Sequence, residues 1–138
     1  MATSTTFSVE VLTPEGEVFS GDVLQLSTRT VIGEIGVLAN HVPVLAALKP
    51  NLLRLKVSDS ETKVYAQSHG MMQIFANHAQ LLLEEAVPPS ELDASAIEAE
   101  QAEAQAKLDG PEIGDAARKL AQRDLERTSA FLALARGE

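Results

Sequence analysis

"EEAVPPSELDAS", residues 84–95, divides the chain into two stretches written in different periods. Its two prolines, Pro88 and Pro89, disfavour helix and central strand alike. On the N-terminal side apolar residues alternate with polar ones. Phe7, Val9 and Val11 do so in "FSVEVL"; Leu53, Leu55 and Val57 do so in "LLRLKVS", leaving Arg54 and Lys56 on the other face. "DVLQLSTR" and "MQIFANHAQLLLEE" add further short runs. Alternation of this length predicts half-buried strands. Turn-forming clusters separate them: Pro14-Glu15-Gly16, Ser20-Gly21-Asp22, Lys49-Pro50-Asn51, Ser58-Asp59-Ser60 and Ala76-Asn77. Roughly eight to ten strands are expected, in an antiparallel sandwich or barrel rather than in βαβ units.

On the C-terminal side the period is helical. Ser90-Glu91-Leu92-Asp93 offers a hydroxyl cap with an acid three residues on. The Ala- and Glu-rich run after it carries Ala94, Ile97, Gln101, Ala104 and Leu108 along one stripe. Asp109-Gly110-Pro111 stops this helix and starts a second, expected over residues 112–135. Its stripe is Ile113, Ala117, Leu120, Ala121, Thr128, Phe131 and Ala135, with Asp124 inside it and its carboxylate expected to reach Thr128 or the other helix. So short a connection folds two helices back on each other. The fold class is α+β, β then α: an antiparallel β-sandwich over residues 1–88 and a two-helix antiparallel hairpin over 89–138.

Composition excludes several functions. A net charge of −9 and an aromatic content of 4% without tryptophan argue against nucleic acid as a partner. The absence of cysteine removes disulfides, thiolate metal sites and cysteine nucleophiles. The N-terminus "MATSTTFSVEV" has neither a basic start nor an apolar signal segment, and no stretch is long enough to span a bilayer. A cytosolic or peripherally docked chain is expected.

Chemistry-bearing motifs are missing too. There is no phosphate-binding loop and no nucleophile elbow, and His41, His69 and His78 lack metal-ligand spacing. Glu84 and Glu85 are adjacent, so in a strand they point to opposite faces and cannot share a proton. A binding or regulatory subunit is the stronger class. A metal-dependent β-barrel enzyme and a free-standing adaptor or chaperone-like module, holding a client with its hairpin, are the alternatives. On the second helix Lys119, Arg123 and Arg127 are spaced i, i+4, i+8. Alone, such a run is ordinarily a solvated face; offered to an acidic partner, it is a docking strip.

"SGDVLQLSTRTVIGEIGVLANHVPVLAALKPNLLRLKV", "SHGMMQIFANHAQLLLEEAV" and "ELDASAIEAEQAEA" resemble, in order and over nearly the whole chain, the epsilon subunit of F-type ATP synthase (delta in mitochondria). The block G-E-I-G-V-L-x-x-H-x-P, from Gly33 to Pro43, is the most specific part. The resemblance implies a flattened sandwich of about ten strands that binds the gamma subunit and rests on the c-ring, followed by helices that fold down or extend into the catalytic α and β subunits and inhibit ATP hydrolysis. It implies a non-catalytic rotor subunit, touching the membrane only through the c-ring, on the cytoplasmic face of a bacterial membrane or the stromal face of a thylakoid.

Residue by residue, Glu34, Ile35, Gly36, Val37, Leu38 and His41 match the region that the family directs at the c-ring. Ala39-Asn40 stands where Pro-Gly is usual, and His69-Gly70 where the family has two glycines. Lys119, Arg123 and Arg127 match basic residues that face the catalytic β subunits. The family's ATP-binding motif is represented by Leu92 and Asp93, but Ala96 takes the place of its arginine. The resemblance therefore implies weak ATP binding at most, no other cofactor and no metal.

Overall fold

The computed structural model of the chain describes residues 5–110 and 113–137. They form two compact units, meeting between Pro88 and Pro89. In the first, ten strands follow in chain order: β1 (Phe7–Thr13), β2 (Gly16–Val23), β3 (Gln25–Thr30), β4 (Gly33–Val37), β5 (Val44–Leu48), β6 (Asn51–Lys56), β7 (Thr62–Gln67), β8 (Gly70–Phe75), β9 (His78–Leu83) and β10 (Ala86–Val87). Their order across the sheet is β10-β7-β6-β3-β5-β8-β9-β1-β2, with β4 paired to β3. A single residue pair, Thr30 with Leu48, joins β3 to β5. That seam divides the path into the two layers of a sandwich. Every pairing is antiparallel except β1 with β9, which run parallel from Ser8–His78 to Leu12–Leu82.

The alternation in the sequence becomes the two faces of each strand. Val9, Val11, Leu53, Leu55, Met72 and Leu81 are fully enclosed, while their neighbours point outward. At about 25 cal/mol per Å² this apolar burial is the main stabilising term.

Two hairpins close with one turn design. Thr13 and Gly16 flank Pro14-Glu15; Thr30 and Gly33 flank Val31-Ile32. In each, the threonine hydroxyl donates to the glycine carbonyl and accepts the amide two residues on. The glycines stand at φ 126° and 133°, where a side chain would be strained. The β8–β9 hairpin is different: Ala76 (φ 51°) and Asn77 (φ 60°) form a two-residue loop with both central φ positive, the type I′ pattern.

One expected turn does not form. Ser20-Gly21-Asp22 lies inside β2, opposite Glu10, Val9 and Ser8 of β1. Cross-strand pairing overrides the local turn preference. The break falls instead at Leu24, whose amide donates to the Lys56 carbonyl.

The second unit opens with a 3₁₀ turn (Pro89–Glu91) and continues as α1 (Ala94–Asp109) and α2 (Asp115–Ala135). The cap of α1 is Asp93, not Ser90: one carboxylate oxygen accepts the amides of Ser95 and Ala96 at 3.0 and 3.2 Å. Ser90 is taken up in the 3₁₀ turn. Ile97 and Ala104 are buried, with Ala94, Gln101 and Leu108 half-buried beside them, along the expected stripe. Gly110 caps the C-terminus, its amide donating to the Lys107 carbonyl. Pro111 and the expected start of α2 at residue 112 lie outside the described residues.

The buried face of α2 is rotated from the expected one. Ala121, Thr128, Phe131 and Leu132 are buried, with Leu125 half-buried between them, while Ala117, Leu120 and Asp124 are exposed. Adjacent residues differ by about 100° around a helix. With Ala121 turned inward, Leu120 turns out, and Leu125 fills the place expected of Asp124. The Asp124 carboxylate does not reach Thr128; its backbone carbonyl accepts the Thr128 hydroxyl at 2.6 Å. That satisfies a buried hydroxyl within its own helix.

Candidate functional site

The six residues of the Gly33 block do not form one surface. Glu34, Ile35, Gly36 and Val37 are strand β4, so their side chains alternate. Val37 is fully enclosed and Ile35 packs on the core; Glu34 and Gly36 face outward. Glu34 stands beside the Val31-Ile32 turn, opposite Arg29. Leu38 and His41 lie past the other end of the strand, about 13 Å further on at 3.3 Å per residue. The His41 Nδ1–H donates to the Val42 carbonyl at 2.8 Å, which fastens the ring to its own loop.

Each end of β4 carries an exposed apolar feature that the alternation alone did not reveal. At the turn, Ile32 is 95% exposed and Val31 more than half. At the other end, Leu38, Val42, Leu45 and Phe75 are each between 60% and 72% exposed. Register places Leu45 beside Gln73 and Val44 beside Ile74, next to Phe75. The spacing of valines and leucines in "TVIGE" and "NHVPVL" reads as strand interior, so the turn and loop positions were the hidden signal.

On the hairpin, the three cations separate. Arg127 is ion-paired with Glu100 of α1 and lies 5.7 Å from the Phe131 ring centroid. Arg136 likewise pairs with Glu98 at 2.6 Å, and Gln101 donates to Ser129. Arg127 therefore stitches the two helices together. Lys119 and Arg123 stay on the outer flank with Gln122 and Glu126 around a shallow depression, near exposed Leu120. At the head of α1, Leu92 is half-buried and Asp93 is committed to capping.

The histidines are spread over separate elements. His78 shares a hydrogen bond with Ser8 across β1 and β9, and the His69 carbonyl accepts the Glu84 amide. Among the described residues no group of three or more His, Asp or Glu side chains is placed to hold a metal ion. No described helix is long and apolar enough to cross a membrane.

A sandwich with exposed apolar features at two ends, followed by a hairpin with a half-used second helix, defines a docking subunit whose chemistry lies in its surfaces. The model of the ATP synthase delta/epsilon chain β-sandwich domain matches residues 6–89. An ATP synthase epsilon chain from Persephonella marina is 40% identical over 75% of this chain and 76% of its own length. One from a Sulfurihydrogenibium species is 32% identical over 94% of this chain and 96% of its own length. In fold, a chain of the Euglena gracilis mitochondrial ATP synthase superposes with a TM-score of 0.81 at 24% identity, covering 96% of this chain and 83% of its own. The protein belongs to the ATP synthase delta/epsilon-chain family, and is a subunit of that complex rather than a catalyst in its own right.

Proposed function

We propose that this chain is a central-stalk subunit whose sandwich joins the gamma subunit to the c-ring and whose hairpin restrains ATP hydrolysis by engaging the catalytic α and β subunits. The Euglena assembly that holds the similar chain contains F1 and a c-ring, which supports the rotor partners. Glu34 with the Val31-Ile32 turn, and Leu38 with His41, are the two ends offered to the rotor. The complex sits on the membrane; we place it on the cytoplasmic face of a bacterial cell, or the stromal face of a thylakoid.

The observation that carries the regulatory reading is the division of α2. Its later turns bury Thr128, Phe131 and Leu132, while its earlier turns leave Leu120, Lys119 and Arg123 outward. An apolar residue between two cations suits an acidic, partly apolar protein surface. Hydrolysis by an epsilon-depleted ATP synthase tests it. Adding the full chain should inhibit, and the Lys119→Glu, Arg123→Glu double variant should relieve inhibition about fivefold or more, with a steeper salt dependence for wild type. Equal inhibition by both proteins would reduce the strip to a solvated face.

We infer further that the hairpin works without nucleotide. The first amides of α1, where a phosphate would otherwise sit, are occupied by the Asp93 carboxylate, and Ala96 brings no cation. Calorimetry of the isolated chain with ATP should show no saturable heat at micromolar concentrations. A saturable isotherm there would overturn this.

A further inference from the structure

The chain contains the tripeptide Ala-Asn-His twice, as Ala39-Asn40-His41 and Ala76-Asn77-His78, and the fold brings the two together. Both asparagines adopt positive φ, 64° and 60°. The Asn77 side chain then uses both ends. Its carbonyl oxygen accepts the Asn40 amide at 2.7 Å, and its amide nitrogen donates to the Thr6 carbonyl at 3.1 Å. Its backbone carbonyl accepts the Ser8 amide at 3.3 Å. One residue thus fastens three segments: the start of β1, the β8–β9 turn and the loop between β4 and β5.

Besides this bond, what holds that loop, residues 38–43, is the packing of Ala39 against the core. It has no strand pairing, and the His41 bond is to its own neighbour. Yet it carries exposed Leu38 and Val42 and leads into exposed Leu45, with Phe75 two residues ahead of Asn77. An apolar docking surface on an untethered loop would lose affinity to the entropy of ordering it. We propose that Asn77 is the positioning residue for this loop, replacing by a side-chain tie the stiffness that Ala39-Asn40 does not supply, and that it thereby holds the apolar corner ready for the rotor. The inference rests on the central-stalk reading above.

Two variants of the full chain test it. Glycine tolerates φ near +60°, so Asn77→Gly keeps the turn and removes both side-chain bonds. Asn77→Asp keeps the acceptor for Asn40 and loses the donor to Thr6. Amide exchange at Asn40 should quicken about tenfold in Asn77→Gly and stay near wild type in Asn77→Asp. Dissociation from an epsilon-depleted ATP synthase should quicken about three- to tenfold in the glycine variant, and much less in the aspartate variant, at unchanged thermal midpoint. Unchanged Asn40 exchange in Asn77→Gly overturns the tie. Faster exchange with unchanged dissociation overturns its role in docking, as does equal loss of binding in both variants. If wild type itself does not bind the depleted complex, the central-stalk reading fails, and the exchange result alone decides whether Asn77 holds the loop.

Discussion

Replacing Gly70 with alanine is expected to destabilise the sandwich by about 3 kcal/mol or more, enough to leave little folded protein at physiological temperature. Gly70 opens β8 between Leu48 of β5 and Leu83 of β9. A Cβ built there would lie 2.1 Å from the Leu82 carbonyl oxygen and 2.9 Å from the Leu83 Cα. Both are backbone atoms of a paired strand, so no rotamer change relieves the overlap and β9 must move bodily. Gly36 of β4, where an added Cβ would meet only the Gln25 side-chain amide nitrogen at 3.7 Å, is the matched control in the same unit and should accept alanine with little change. The chain has one tyrosine and no tryptophan, and Tyr65 lies in β7. Tyrosine fluorescence during urea unfolding therefore reads the sandwich by itself. A Gly70→Ala protein within about 1 kcal/mol of wild type by that probe would show that the strands part more easily than the geometry allows.

Gln67→Leu should cost about 2–4 kcal/mol, although it swaps side chains of similar volume. Gln67 is fully buried at the end of β7. Its carbonyl oxygen accepts the Thr28 hydroxyl at 2.6 Å, and its amide donates to the Lys49 carbonyl at 2.8 Å and, more loosely, to that of Arg29. The substitution leaves a buried hydroxyl and a half-buried carbonyl without these partners, and unmade bonds in the interior are the expensive ones. Adding Thr28→Val removes the orphaned hydroxyl. The double variant should therefore be more stable than the sum of the singles by about 1–2 kcal/mol. Strict additivity in a double-mutant cycle would mean that the two groups do not depend on each other.

Much of the architecture was legible because it rests on periodicity. The strands of the first unit follow the alternation of Val9, Val11, Leu53 and Leu55, and the buried stripe of α1 follows Ile97 and Ala104. The change of period at Pro88-Pro89 coincides with the junction of the units. What escaped depends on tertiary choice. Ser20-Gly21-Asp22 carries turn residues, but pairing with β1 keeps it extended. Helical spacing placed Asp124 on the inner stripe beside Ala121 and Thr128, but the stripe that is buried runs through Leu125 and Leu132 instead of Leu120 and Asp124, a rotation fixed by packing against the other helix. For the same reason Arg127 read as one of three equivalent cations, although its i+8 neighbourhood says nothing of Glu100 on the other helix. The tie between Asn40 and Asn77 joins residues 37 positions apart, beyond the reach of any local pattern.

The parallel pairing of β1 with β9 has a consequence for how the protein is made. Ser8 and His78 are 70 residues apart, so closing that contact carries a large loop entropy, and topologies dominated by such contacts fold slowly. At a synthesis rate of about 5–20 residues per second, β1 waits roughly 4 to 14 s on the ribosome before its partner has been made. Through that interval the β1–β2 hairpin presents an unpaired edge, the kind of template on which nascent chains associate wrongly. Of the outward positions of β1 along that edge, Ser8 and Glu10 are polar and charged, and Leu12 is the apolar one. In the finished sandwich the Glu10 carboxylate only accepts a bond from Gln80; on the nascent hairpin the same charge is a gatekeeper. Exchanging Glu10 for an apolar residue should therefore show first in yield from cells rather than in the melting temperature of the purified chain.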